Sequence, residues 1–279
     1  MGAWALDPYA LIPIVLGGVL YAIRVRQVGL DEVRPWRILS FYGGLLCLGL
    51  AVMSPLDALA ETLFGVHMIQ HLTLTELAAP LVLLGLTGRV LRPLLANSWV
   101  QRLRVLSHPL VALPLWFALT IFWLYPPLYE LQLNDEILHA VAHMTFFASG
   151  LALWAPIVEV LPAPEWFGTG PRLAYLGAVW FGGLLISNVY WFAGTPFYET
   201  HEEGARLWGI SAVGDQANGG TAMMVTMLLI VGGTMVALFF RLARESELSQ
   251  ELIEQGHDRA KVKRAIRYRR AHLLRSPGA

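Results

Sequence analysis

AETLFGVHMIQHLTLTELAAPLVLLGL, residues 60–86, decides how this chain is read. The run is apolar and exceeds the about 20 residues that cross a bilayer, yet it carries two imidazoles, His67 and His71, and a carboxylate, Glu76. An interval of four residues puts both rings on one face of a helix. Polar rings are costly in hydrocarbon unless something binds them. The device recurs in EILHAVAHMTFFASGLALWAPI, residues 136–157, with His139 and His143. Two such pairs in two separate spans predict a metal or cofactor site inside a membrane protein.

Composition agrees with the class. Hydrophobic residues make up 56% of the chain and charged residues 14%, with 26 Gly, 16 Pro and 10 Trp, the profile of irregular membrane helices with interfacial anchors. Cys47 is the single cysteine, which excludes an intramolecular disulfide and a thiolate pair for a metal. The start, Met1 to Ala10, contains Asp7 and no basic residue, so no cleavable signal is expected and the first apolar stretch is expected to stay as a helix.

Seven apolar stretches follow one another, at roughly 5–23, 37–53, 60–86, 109–125, 136–157, 172–193 and 217–240, each near the length of a crossing. The expected fold is therefore an all-α bundle of seven transmembrane helices over residues 1–240, followed by a charged tail over 241–279. If the spans alternate, Arg24, Arg26, Arg34, Arg37, Arg89, Arg92, Arg102, Arg104, Arg172 and the basic tail, including Arg269 and Arg275, share one side. The other side holds Arg206 with Asp7, Asp57, Glu61, Glu130, Asp135, Glu136, Glu199, Glu202, Glu203 and Asp215. The positive-inside rule then predicts an outer N-terminus and a cytoplasmic C-terminus. Residues 245–275, acidic first and basic second, read as a surface helix near anionic headgroups. Walker loops, nucleophile elbows and paired catalytic carboxylates are absent from the sequence, and nothing points to nucleic acid.

With this orientation His67 and His71 lie roughly 10 and 17 Å below the outer surface, and His139 and His143 roughly 5 and 11 Å. Asp215 and Gln216 enter the last span from the same side, with Met223 deeper. The expected ligands are His67, His71, His139, His143, Asp215 and Met223. Glu136 shares a face with His139 and His143 and, with Gln216, is expected to support them. Imidazole suits copper, zinc and iron; the nearby Met residues and the lack of Cys pairs favour copper. A haem bridging two spans remains an alternative. Glu76 reads either as a proton carrier or as a protonated, hydrogen-bonded carboxyl. His108, before Pro109, reads as a helix-end residue, and His201, among Glu199, Glu202 and Glu203, as part of a solvated loop.

Taken in order, Ser54-Pro55-Leu56-Asp57, His67-Met68-Ile69-Gln70-His71-Leu72, Ala79-Pro80-Leu81, His139 with His143, and Asp215-Gln216 followed by Gly219 to Met224 resemble the CtaG family of cytochrome c oxidase assembly factors, over about residues 36–240. The resemblance implies a multi-pass protein of the bacterial cytoplasmic membrane. It also implies help in assembling a haem-copper oxidase by handling copper for its copper B centre. The family's Trp-His-x-Pro segment is Trp123-Leu124-Tyr125-Pro126 here, and Asp215-Gln216 continues with Ala217-Asn218-Gly219-Gly220. Three functions are open: the non-enzymatic copper-handling factor partnered by an oxidase subunit that the resemblance implies and, from the residues, a haem- or dinuclear-metal redox protein or a proton or metal-ion transporter using Glu76. Pro80 inside the third span predicts a broken helix, which the transporter would need.

Overall fold

The computed structural model describes residues 8–160, 163–268 and 270–274, apart from the side chain of Leu103. Asp7, Pro162, Arg269, Arg275 and the start of the first expected span lie outside the described residues. Every regular element among the described residues is a helix. We label α1 Pro8–Val28, α2 Pro35–Met53, α3 Phe64–Gly85, α4 Pro109–Leu124, α5 Pro126–Leu133, α6 Glu136–Val158, α7 Thr169–Phe192, α8 Thr200–Leu207, α9 Ala212–Glu254 and α10 Arg259–Arg267. Proline sets several starts: Pro35, Pro109 and Pro126 stand at first helical positions, where the missing N–H costs nothing and the fixed φ suits the helix. Side-chain caps set others, with Asp135 accepting from the Leu138 amide at 2.9 Å and Ser211 from that of Gly214 at 3.0 Å.

Among the described residues, six helices, α1, α2, α3, α6, α7 and α9, are long and apolar enough to cross a membrane. The protein is an all-helical, multi-pass membrane protein. The stretch expected as a further span, α4, has 16 residues and measures about 24 Å. It follows a short segment, Ser98–Ser107, turned from it by 76°. His108 caps α4 by accepting from the Leu110 amide at 3.3 Å, as a helix-end residue does.

The two histidine-bearing spans, α3 and α6, lie at the centre, with α2 and α9 packed on α3 and α4 packed on α6. Contact between α3 and α6 is close because of Gly150: a Cβ there would stand 2.7 Å from the Thr75 carbonyl oxygen. Opposite that glycine α3 is wound as a π-helix from Thr73 to Ala78, with the Ala79 amide reaching back to the Leu74 carbonyl. The break expected at Pro80 is therefore absent. A proline ring clashes with the carbonyl four residues back in an α-helix, and the wider π turn absorbs the clash without interrupting the span. Thr73 and Thr75 support the turn by donating to the carbonyls of Ile69 (2.7 Å) and His71 (3.1 Å).

Charge separates the two ends of the bundle. At one end Arg37 donates to the carbonyls of Leu84 and Leu86, and Glu159 pairs with both Arg172 and Arg241. The tail is not the single surface helix expected from residue 245 onward. Helix α9 runs unbroken through residue 240 to Glu254, the chain reverses at Gly256 with φ 91°, and α10 folds back so that Leu252, Val262 and Ala271 bury one another. Reversal needs the left-handed backbone that glycine adopts without steric cost, and Asp258 restarts the helix by accepting from the amides of Ala260 and Lys261.

Candidate metal centre

The four imidazoles meet. His67 and His71 stand with ring centroids 4.2 Å apart and His139 and His143 4.3 Å apart; across the helices His67 faces His139 at 5.8 Å and His71 faces His143 at 5.5 Å. The Nε2 atoms of His139 and His143 approach to 3.1 Å, close to the separation of two ligands on one ion with metal–nitrogen bonds of about 2.0–2.1 Å. His67 and His71 are 0% and 2% exposed. All four of their ring nitrogens lack a hydrogen-bond partner, and buried polar atoms in folded proteins are normally satisfied. Among the described residues, no three His, Cys, Asp or Glu side chains stand close enough together to hold one ion.

Other residues expected at the site have different surroundings. Asp215 lies at the start of α3, where its Oδ2 accepts from the Phe64 amide at 2.7 Å and its Oδ1 from the Gly65 amide at 3.1 Å. A carboxylate there satisfies two orphan donors and opposes the positive end of the helix dipole. Met223 is buried in the apolar core that contains Phe64 and Met68. Glu136 is exposed in the first turn of α6. Gln216 is buried, its Oε1 accepting from the Phe197 amide at 2.8 Å to fasten the loop after α7. Glu76 is fully buried within the π turn and accepts from the indole N–H of Trp154 at 3.1 Å.

An aromatic layer covers one end of the cluster, and it contains what the sequence did not announce. His201 is not in a solvated loop. It is 3% exposed, its Nε2 lies 2.7 Å from the Tyr129 hydroxyl, and its ring stands 6.0 Å from that of His67. Burial holds its imidazole below the usual range, against the opposing influence of Asp215, the Thr62 backbone and Glu130. Burial likewise pushes the Tyr129 phenol well up. The Tyr129 ring lies 5.1 Å from His67, and Phe64 packs on Tyr198 and Tyr190 at 4.9 and 5.0 Å. One turn beyond Tyr129 on the same helix face, Gln132 is fully buried with both amide atoms unpartnered. Gln70, between the first two histidines, donates to Asp57 at 2.6 Å and to the Ala51 carbonyl at 2.9 Å, so two of the quoted motif segments touch. An amide inside a span was a signal for Gln70; nothing local marked His201.

An apolar cavity of about 270 Å³ reaches His143 from the side, between α1, α2 and α6, with Pro13, Phe41, Leu48 and Phe147 in its walls.

Comparison with known proteins agrees with these elements. The chain is 28% identical over 230 residues to uncharacterized proteins of Mycobacterium bovis and of Mycobacterium tuberculosis, an alignment that covers 75% of this chain and 34% of each of them. It thus spans about a third of the length of these curated relatives. No solved structure matches it. The family described as cytochrome c oxidase caa3 assembly factor matches residues 19–245, a wider stretch than the motifs had delimited and one that includes every histidine of the cluster. The chain belongs to the caa3-type cytochrome c oxidase assembly factor family.

Proposed function

We propose that this protein is an assembly factor of the bacterial cytoplasmic membrane that binds copper through His67, His71, His139 and His143 and passes it sideways to a folding subunit of a haem-copper oxidase. The reading places seven crossings in the bilayer, the N-terminus outside and the tail in the cytoplasm, with the cluster near the outer leaflet. One observation carries it: two imidazole pairs from two spans face each other, His67 and His71 buried and His139 and His143 half-buried, with the ring nitrogens of His67 and His71 unpartnered. Neutral imidazoles are good ligands for copper. Copper supplies the charge that would fill the oxidase centre; this chain supplies the rings that hold it.

Transfer, not storage, is favoured by the same geometry. A cargo ligand set that is not closed around one ion suits release, and the apolar cavity of about 270 Å³ beside His143 gives the cluster an apolar flank toward α1 and α2. Asp215 holds α3 to α9 and so keeps the first histidine pair at its depth.

Metal analysis with an absorption spectrum on detergent-purified protein tests the reading. Copper is expected in the wild type and is expected to fall to background in both His67→Ala/His71→Ala and His139→Ala/His143→Ala. Unchanged copper in both double variants, or a Soret band in the wild type, rejects it.

A further inference from the structure

His201 is the fifth imidazole of the cluster, and its position differs from the other four. It comes from α8, which is not one of the membrane-length helices, and it reaches the cluster because Gly204 lets α8 lie directly on Thr62: a Cβ at Gly204 would stand 2.0 Å from the Thr62 carbonyl oxygen. The outer side of α8 carries Glu199, Glu202 and Glu203, which line an exposed depression. The inner side presents His201 to Tyr129 and His67. The Nδ1 of His201 is buried without a hydrogen-bond partner, while its Nε2 lies 2.7 Å from the Tyr129 hydroxyl. In the tautomer that carries its proton on Nδ1, Nε2 has a free lone pair, the form in which an imidazole ligates through that atom. In that tautomer the Tyr129 hydroxyl donates to this lone pair across the 2.7 Å contact.

We propose that His201 is an exchangeable entry ligand: a cuprous ion approaching from the α8 side binds Nε2 of His201 first and moves from there to His67. This rests on the four-histidine reading above. In the step, the Tyr129 O–H···Nε2 hydrogen bond opens, an Nε2–copper bond forms, and that bond breaks as a His67 nitrogen takes the ion. The hydroxyl proton stays on Tyr129 and copper keeps its oxidation state. Tyr129 competes with the ion for the same lone pair and therefore acts as a latch. Its neighbour Gln132, buried with an unpartnered carbonyl oxygen and amide one turn away, offers a polar surface to a passing ion.

The test uses the full chain in detergent and measures Cu(I) uptake from a chromophoric chelator, recording initial rate and final stoichiometry for wild type, His201→Gln and Tyr129→Phe. Both variants lose the same Tyr–His hydrogen bond, so a merely structural role moves both rates in one direction. An entry ligand moves them oppositely: His201→Gln loads several-fold more slowly at unchanged final stoichiometry, and Tyr129→Phe, which frees Nε2, loads a few-fold faster. Rates that shift together, or a His201→Gln rate equal to wild type while wild type binds copper normally, overturn this inference alone. Absence of uptake in the wild type overturns the four-histidine reading and this inference with it.

Discussion

At Asp215 a buried carboxylate receives two amides from the first turn of another span, and the choice between a cap and a metal ligand rests on what each oxygen touches. Asn in its place keeps one acceptor and turns an NH2 group toward a backbone N–H. Asp215→Asn is expected to cost about 1–2 kcal/mol, the range of a lost helix cap with its charge, read as a lowered apparent Tm in detergent. Copper stoichiometry is expected to stay at the wild-type value. A variant that melts normally but has lost copper makes Asp215 a ligand after all. Asp215 and His201 also mark what a sequence can reveal at this scale. The histidine pairs were legible because their spacing alone puts them on one face of a hydrophobic helix. An aspartate at a span's edge announces that it needs a donor without saying whether the donor is a metal or an amide. His201 has acidic neighbours and looks solvated; its burial is created by Gly204 meeting Thr62, a contact between segments over a hundred residues apart in the chain.

Among the elements, the crossing of α3 and α6 sets the distance between the two histidine pairs. It is a contact of backbone on backbone at Gly150 and Thr75, within the π winding and one helical turn from His71. A side chain inserted there forces the rods apart just where His71 and His143 face each other. Gly150→Leu is expected to destabilise by about 1–3 kcal/mol, as overpacking does, and to lower copper stoichiometry, whereas Gly43→Leu, with nothing within 4 Å of its Cβ, is expected to change neither. Full copper binding in a folded Gly150→Leu protein would sink the view that this crossing builds the site. Six of the seven expected spans coincide with helices of membrane length, most with ends shifted by a few residues and the last running on to Glu254. The effect of Pro80 was not legible, because a missing N–H and a ring clash predict local trouble but do not choose between a break and a π turn; packing against Gly150 and the Thr73 and Thr75 hydroxyls decided it.

For the whole molecule, the path of α4 decides how many times the chain crosses. Hydropathy predicts a span at 109–125, and its 16 residues are short for a hydrocarbon core of about 30 Å. Yet its ends lie at opposite ends of the bundle. His108 stands 6.2 Å from Trp166, which precedes α7 on the side of Arg172 and the tail, while the Leu124 carbonyl accepts from the Tyr198 hydroxyl at 2.8 Å in the aromatic layer over the histidines. At that same end Trp123 donates to Thr145 on α6 at 2.7 Å, so α4 runs antiparallel to a helix of membrane length and ends near the level of its histidines. Short helices cross where flanking segments lie at the interface and the bilayer thins locally, and α5 begins at Pro126 directly after it. The positive-inside rule favours the same path, since arginines before α4 and carboxylates after it fall on one side if it turns back. In a Cys47→Ser background, a single cysteine replacing Arg206 or Leu131 is expected to react with a membrane-impermeant maleimide in intact cells, and one replacing Gln101 or Lys263 only after permeabilisation. Labelling of positions 101 and 131 from the same side would show that α4 does not cross, would leave six crossings, and would place both ends of the described chain on one face of the membrane.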